Sequence, residues 1–383
     1  MWKIHSCLRE IFFTGAAEFR LHPTKAQAKL LQLQLDECRW LYNELLSQRK
    51  IAHEELGISL SKYQQLMFLP ELKKERPALK TVHSQVLQNI VDRLDKSFEA
   101  FFRRCKIGEK PGFPRFRGID RYDSFCYPQS GFTLLDKEVA LSKIGRIRVK
   151  VHRLVEGKIK TCTIKKTASG KWNITLSCEV RAVALEPKTE AIALDVGIES
   201  FATFSNGERI ENPRFFKKGE KVLAKQQRKL SKLEKGTKER RKTGKVVAKI
   251  HERIKNQRKD FCHKQAKKIV DQYQYICLED LNIKQMMEGS HFAKSIADAS
   301  WNEFRQCLTY KAAEAGRKLG LVNPAYTSQI CSECGHLEPK KLTDREHKCL
   351  QCGYRAHRDF NAAQNILALG LDGLGAIPRS LRL

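Results

Sequence analysis

The chain has 383 residues, more than one hydrophobic core usually organises, so two or three domains are expected. It carries 72 Lys+Arg against 43 Asp+Glu, a formal charge of +29, which would strain a compact fold unless a polyanion offsets it. Nucleic acid is the natural partner, because neutralising phosphates releases counterions without any reading of sequence. Thirteen cysteines, odd in number and mostly isolated in apolar runs, argue against a disulfide-built secreted scaffold and for a reducing compartment. No apolar run reaches the roughly 18 residues needed to span a bilayer, and "IFFTGAA" is too short for a signal peptide. A cytoplasmic protein with no membrane partner is therefore expected, nucleoid-associated in a bacterium.

In chain order, "FRLHPTKAQAKLLQLQLDECRWLYNELLSQRK" opens with a strand-like run and Pro23. Thr24 and Gln27 then have the spacing of a capping box. Leu30, Leu31, Leu35, Cys38, Leu41, Tyr42 and Leu45 follow at helical spacing. A second helix places Val86, Ile90, Leu94, Phe98 and Phe101 on one face. "KIGEKPGFPRFRGIDRYDSF" breaks this pattern with Pro111, Gly112 and Pro114. There Lys110, Arg115, Arg117 and Arg121 interleave with Phe113, Phe116 and Tyr122, a composition suited to a phosphate backbone and unstacked bases. Residues from about 125 to 182 alternate as strands, with a hairpin at Ala168-Ser169-Gly170. The strand near Glu18–Leu21 is a candidate partner, which would make the helices an insertion into a β domain.

A new domain begins with the apolar strand Ala191–Leu194, which ends in Asp195, and continues through Phe201–Phe204 to an Asn206-Gly207 turn. Between Arg214 and Asp260 there are 19 Lys/Arg and 5 Asp/Glu in a helical stretch, with Arg240, Arg241 and Lys242 as nucleic-acid-binding candidates. A second apolar strand, Tyr275–Leu278, ends in Glu279, and Ser300 with Glu303 has the spacing of a capping box.

Cys331, Cys334, Cys349 and Cys352 read C-x2-C-x14-C-x2-C, with Gly335 and Gly353 at matching offsets where each knuckle must turn. Four thiolates close a tetrahedral zinc shell and leave no position for water, so the expected zinc is structural. Asp195 and Glu279 end strands, and Asp359 begins the helix "FNAAQNIL", where an acid can also serve as a cap. If the two strands are neighbours, their carboxylates lie side by side, and hard oxygens held together suit Mg²⁺. Two such ions could drive phosphodiester hydrolysis.

The pieces "FRLHPTKAQ", "KPGFPRFRG", "LDVGIESFAT", "LEDLNI", "YTSQICSECG" and "CLQCGYRAHRDFNAAQNIL", in this order, resemble the TnpB family of transposon-encoded proteins, related to type V CRISPR nucleases. The resemblance runs from about Phe19 to Leu367. It implies an α+β multidomain protein: an RNase H-like (RuvC) α/β nuclease domain with an inserted zinc ribbon, a small β-barrel-like wedge domain and a helical recognition domain. The expected boundaries are 1–23 and 125–185 for the wedge, 24–124 for recognition, 190–325 and 354–370 for the nuclease, 326–353 for the ribbon and 371–383 for a flexible tail. Asp195, Glu279 and Asp359 would correspond to the family's catalytic carboxylates, binding two Mg²⁺, and the four cysteines to its zinc ligands. The implied activity is RNA-guided cleavage of target DNA beside a short adjacent motif, with guide RNA from the chain's own locus, by a monomer. A guide-independent transposition protein and a nuclease-inactive RNA-guided repressor are the alternatives. Two departures stand out: residues 1–18 precede the family's usual start, and His357, expected at the surface, stands where many relatives carry an acid.

Overall fold

The computed structural model describes residues 12–181, 185, 186, 188, 190–341 and 344–375. The expectations for residues 1–11 and for the last part of the tail, 376–383, lie outside these. The described chain divides into two compact units, one spanning Phe12–Arg181 and the other built from the described residues after 184.

The first unit begins with strand β1 (Phe12–His22) and three helices, α1 (Lys25–Leu56), α2 (Lys62–Glu75) and α3 (Ser84–Lys106). Six strands follow: β2 (Ser124–Tyr127), β3 (Phe132–Leu134), β4 (Glu138–Leu141), β5 (Gly145–Lys150), β6 (Lys158–Lys166) and β7 (Trp172–Arg181). They form an antiparallel sheet in the order β2-β6-β7-β1-β5-β4-β3. Residues 12–18, which precede the family's usual start, belong to its central strand, with Thr14 opposite Glu179 and Glu18 opposite Thr175. The Thr24–Gln27 capping box is present in both directions. Of the apolar residues at helical spacing along α1, Leu30 proves to be exposed. Phe19 and Leu21 of β1 lie in the same core as Leu31, Leu41, Ile90 and Leu94 of the helices and Ile164 and Ile174 of the sheet. Helices and sheet therefore share one core, where the sequence suggested two separate domains.

The second unit opens with β8 (Ala191–Val196), β9 (Ser200–Phe204) and β10 (Arg209–Glu211). The basic stretch forms α4 (Phe215–Lys232) and α5 (Lys238–Gln272). Then come β11 (Tyr275–Glu279), α6 (Ile283–Met287), α7 (Ala293–Ala299), α8 (Trp301–Glu314) and β12 (Lys318–Val322). The short pair β13 (Glu346–Lys348) and β14 (Arg355–His357) precedes α9 (Arg358–Gly373). The five-stranded sheet has the order β10-β9-β8-β11-β12, with β8, β11 and β12 parallel and β9 and β10 antiparallel.

Ile192, Ala193 and Leu194 are all buried, as a strand covered on both faces requires. Ile192 and Leu194 pack with Ile269 and Phe304 of α5 and α8, while Ala193 and Cys277 pack with Ile366 of α9. Helix α9 comes close to β11 at Gly370, where a Cβ would stand 2.3 Å from the Cys277 sulfur. The expected Ser300 capping box is absent. Ser300 has φ 58°, and its hydroxyl donates back to the carbonyls of Ala297 and Asp298, so it makes a left-handed kink between α7 and α8 and leaves the α8 N–H groups uncapped.

Candidate nuclease site and zinc knuckle

Parallel pairing of β8 with β11 sets Leu194 opposite Leu278, so the next residues, Asp195 and Glu279, emerge at the same end of the sheet. Helix α9 lies across these strands and presents Asp359 as its second residue. Asp359 does not cap the helix. The cap is His357, whose Nδ1 accepts the Asp359 N–H at 3.3 Å, so this histidine has a local structural task beside the acids.

Burial, reinforced by the negative charges of Glu279 and Asp359, holds the Asp195 carboxyl well above the usual carboxylate range, and Arg358 pulls the other way. Burial also raises Glu279, against the opposing effect of the Thr327 hydroxyl, which donates to Oε1 at 2.5 Å. Mutual repulsion of this kind is relieved by a cation, and the donors are hard oxygens suited to Mg²⁺.

The four cysteine sulfurs all lie within 4.8 Å of one another. Cys331 and Cys352 are 3.7 Å apart and Cys334 and Cys349 3.5 Å, against about 3.8 Å for sulfurs on a tetrahedral zinc. The two knuckles repeat one geometry. Gly335 N–H donates to the Cys331 carbonyl and Gly353 N–H to the Cys349 carbonyl, with φ values of 76° and 77° that only glycine adopts freely. Backbone N–H groups of Cys352 and Gln351 lower the Cys349 thiol pKa, while those of Cys334 and Cys352, crowded against the other sulfurs, are raised, so the four thiols do not ionise together without a cation among them. The donor set fits zinc. Among the described residues, no other group of His, Cys, Asp and Glu is gathered as a metal-ligand cluster of three or more.

The basic candidates divide. Lys110, Arg115 and Arg121 are exposed, while Arg117 is tied to α1 through its backbone bonds to Asn43 and its guanidinium over Tyr42. The aromatic residues of that loop are partly spent on packing: Phe113 stacks edge-on against Phe98 and Phe101, and Tyr122 lies beside Tyr42. Arg241 and Lys242 are exposed on α5. Arg240 instead donates to the carbonyls of Leu230 and Leu233 and closes the end of α4. Sequence reasoning also missed Asp298, whose carboxylate accepts from the Phe216 and Lys217 N–H groups at the start of α4 and pairs with Arg258 at 2.8 Å. It missed Thr327, Asn361 and Asn365 as well; their one signal was their place inside the motifs quoted above.

Three family profiles match parts of the chain: "Probable transposase" over residues 175–289, "Cas12f1-like, TNB domain" over 301–366 and "Helix-turn-helix domain" over 14–57. The last range is one strand and one long helix here, β1 and α1. A Streptomyces pristinaespiralis protein named "Putative RNA-guided DNA endonuclease" is 34% identical, over 93% of this chain and 89% of its own length. The Escherichia coli K12 protein of the same name, InsQ, is 32% identical over 93% of this chain and 92% of its own. The chain belongs to the TnpB family. A TnpB-like protein of Acanthamoeba polyphaga mimivirus, L79, is 21% identical over 95% of this TnpB-family chain and 74% of its own.

Proposed function

We propose that this TnpB-family protein is an RNA-guided DNA endonuclease of a transposable element, cleaving phosphodiesters at the site of Asp195, Glu279 and Asp359. The observation that carries the reading is the convergence of three acids, from β8, β11 and α9, at one end of the sheet, where Asp195 is disfavoured as an anion by burial and by its two neighbours.

Asp195, Glu279 and Asp359 are the residues that would hold two Mg²⁺, which would supply Lewis acidity to the scissile phosphate and lower the pKa of an attacking water. The chain's own contribution is placement. Parallel register fixes Asp195 beside Glu279, the α9 start delivers Asp359, and Arg358 offsets part of the acids' repulsion. The four cysteines would hold a structural zinc, leaving no open position for substrate, and the ribbon would brace the segment that enters α9. Arg241, Lys242, Lys110, Arg115 and Arg121 offer phosphate contacts for guide RNA and target DNA. In this reading the unit Phe12–Arg181 takes the wedge and recognition roles, and the nuclease lies in the second unit.

Expression with the native flanking DNA, purification and sequencing of the bound RNA tests the guided reading. A discrete RNA from the end of the locus, running into flanking sequence, is expected. Heterogeneous cellular RNA removed by salt would contradict it and favour guide-independent DNA binding.

A further inference from the structure

Between β12 and the first zinc knuckle the chain has little regular structure; backbone bonds and a β-bridge tie it to residues 336–338, and two asparagines tie it to α9. Asn365 donates its amide to the carbonyls of Thr327 at 2.8 Å and Ile330 at 2.7 Å. Asn361, one turn earlier, donates to the same Ile330 carbonyl at 2.7 Å and accepts the Ser332 N–H at 3.0 Å. These bonds close on either side of the zinc ligand Cys331. Both amides are buried, and the helix that bears them also presents Asp359. At the far end of the same segment, Thr327 is 3% exposed and its hydroxyl faces two acceptors: Glu279 Oε1 at 2.5 Å and the Pro324 carbonyl at 3.2 Å. One hydroxyl proton serves one of them fully, and the shorter, charge-assisted bond to the carboxylate prevails.

We propose that Thr327 is a positioning residue for Glu279, and that Asn361 and Asn365 fix it to the helix carrying Asp359. The inference rests on the three acids being a cation site, as read above. A glutamate at a strand end has rotatable bonds that a hard-cation ligand cannot leave free. The Thr327 bond engages Oε1 and leaves Oε2 to bind, the way outer hydrogen bonds orient metal-ligating carboxylates elsewhere. The chain Glu279–Thr327–Asn365 thereby joins two of the three acids through protein alone.

The test is Mn²⁺ binding to the full, zinc-loaded chain, followed by electron paramagnetic resonance, with zinc content and melting temperature measured in parallel. Thr327→Val, which keeps the shape and loses the donor, should weaken Mn²⁺ binding about tenfold. Thr327→Ser should restore wild-type affinity, which a purely packing role for the methyl group would not allow. Thr327→Cys, a poor donor of similar size, serves if the valine variant loses zinc or fails to fold. Wild-type Mn²⁺ affinity in a folded valine or cysteine variant would overturn the proposal. Asp195→Ala separates the two levels: if it abolishes Mn²⁺ binding while Thr327→Val binds Mn²⁺ as tightly as the wild type, the positioning role alone fails. If Asp195→Ala binds Mn²⁺ like the wild type, the cation-site reading fails and the positioning role with it.

Discussion

Asp195 is the residue on which the site's electrostatics turn. A carboxyl whose folded pKa lies above its unfolded value binds a proton more readily in the native state. Stability from that source is present at low pH and is lost as pH rises from the ordinary carboxylate range through the raised folded value. Burial and the charges of Glu279 and Asp359 give Asp195 this sign. In magnesium-free buffer, wild-type melting temperature should therefore fall from this contribution as pH rises above the ordinary carboxylate range. Asp195→Asn, which cannot ionise, should flatten the fall and melt about 2 °C or more above wild type at the upper end. Calorimetry across pH decides it; a variant less stable at every pH would contradict the assignment. Asp195 and Glu279 were legible in the sequence because an acid ending an apolar strand is conspicuous. Thr327 was not, since an uncharged polar residue in a loop carries no periodic signal and shows its role only through a contact 48 positions away in the chain. The capping role of His357 was hidden for a similar reason: both it and Asp359 are plausible at a helix start, and only backbone geometry separates them.

At the scale of elements, the regular parts of the fold followed from pattern and the irregular joints did not. Helices α1 and α3 and strands β8 and β11 announce themselves by apolar spacing and by the Thr24–Gln27 box. Helix α2 is obscured by Pro70 within it, and the kink at Ser300 by the same serine–glutamate spacing that elsewhere marks a cap. The contact of α9 with β11 rests on Gly370, and a methyl group there would meet the side chain of Cys277. Gly370→Ala should cost about 1–3 kcal/mol, read by denaturant unfolding, because the core at that point has no room to give. Unchanged stability would mean that α9 sits farther from the sheet. In the ribbon, Cys334→Ser should lower zinc content and stability together, measured by metal analysis and thermal melting. A full zinc complement in that variant would contradict the four-thiolate shell.

Across the whole molecule, the +29 charge and its concentration on α4 and α5 set the terms on which nucleic acid is held. Cations already occupied by protein should differ from exposed ones. Arg241→Glu with Lys242→Glu should weaken RNA binding and reduce its salt dependence by about two phosphate contacts, with little change in melting temperature. Arg240→Ala should act chiefly on stability, since its guanidinium closes the end of α4. Filter binding over a salt series, beside thermal melting, separates the two; equal losses of RNA affinity would contradict the division. The sequence could locate this charge but could not sort it, because helix-end carbonyls and phosphates attract the same side chains.

If the three acids of the second unit make a metal-dependent, RNA-guided nuclease, cleavage must need both the ion and the carboxylates. The most direct measurement is cleavage of a supercoiled plasmid carrying the guide's target by the purified protein–RNA complex, with and without Mg²⁺, for wild type and Asp195→Ala. The wild type should cut only when Mg²⁺ is present, and Asp195→Ala should not cut although it still holds its RNA. Cutting by Asp195→Ala at the wild-type rate, or by the wild type without divalent ions, would contradict it.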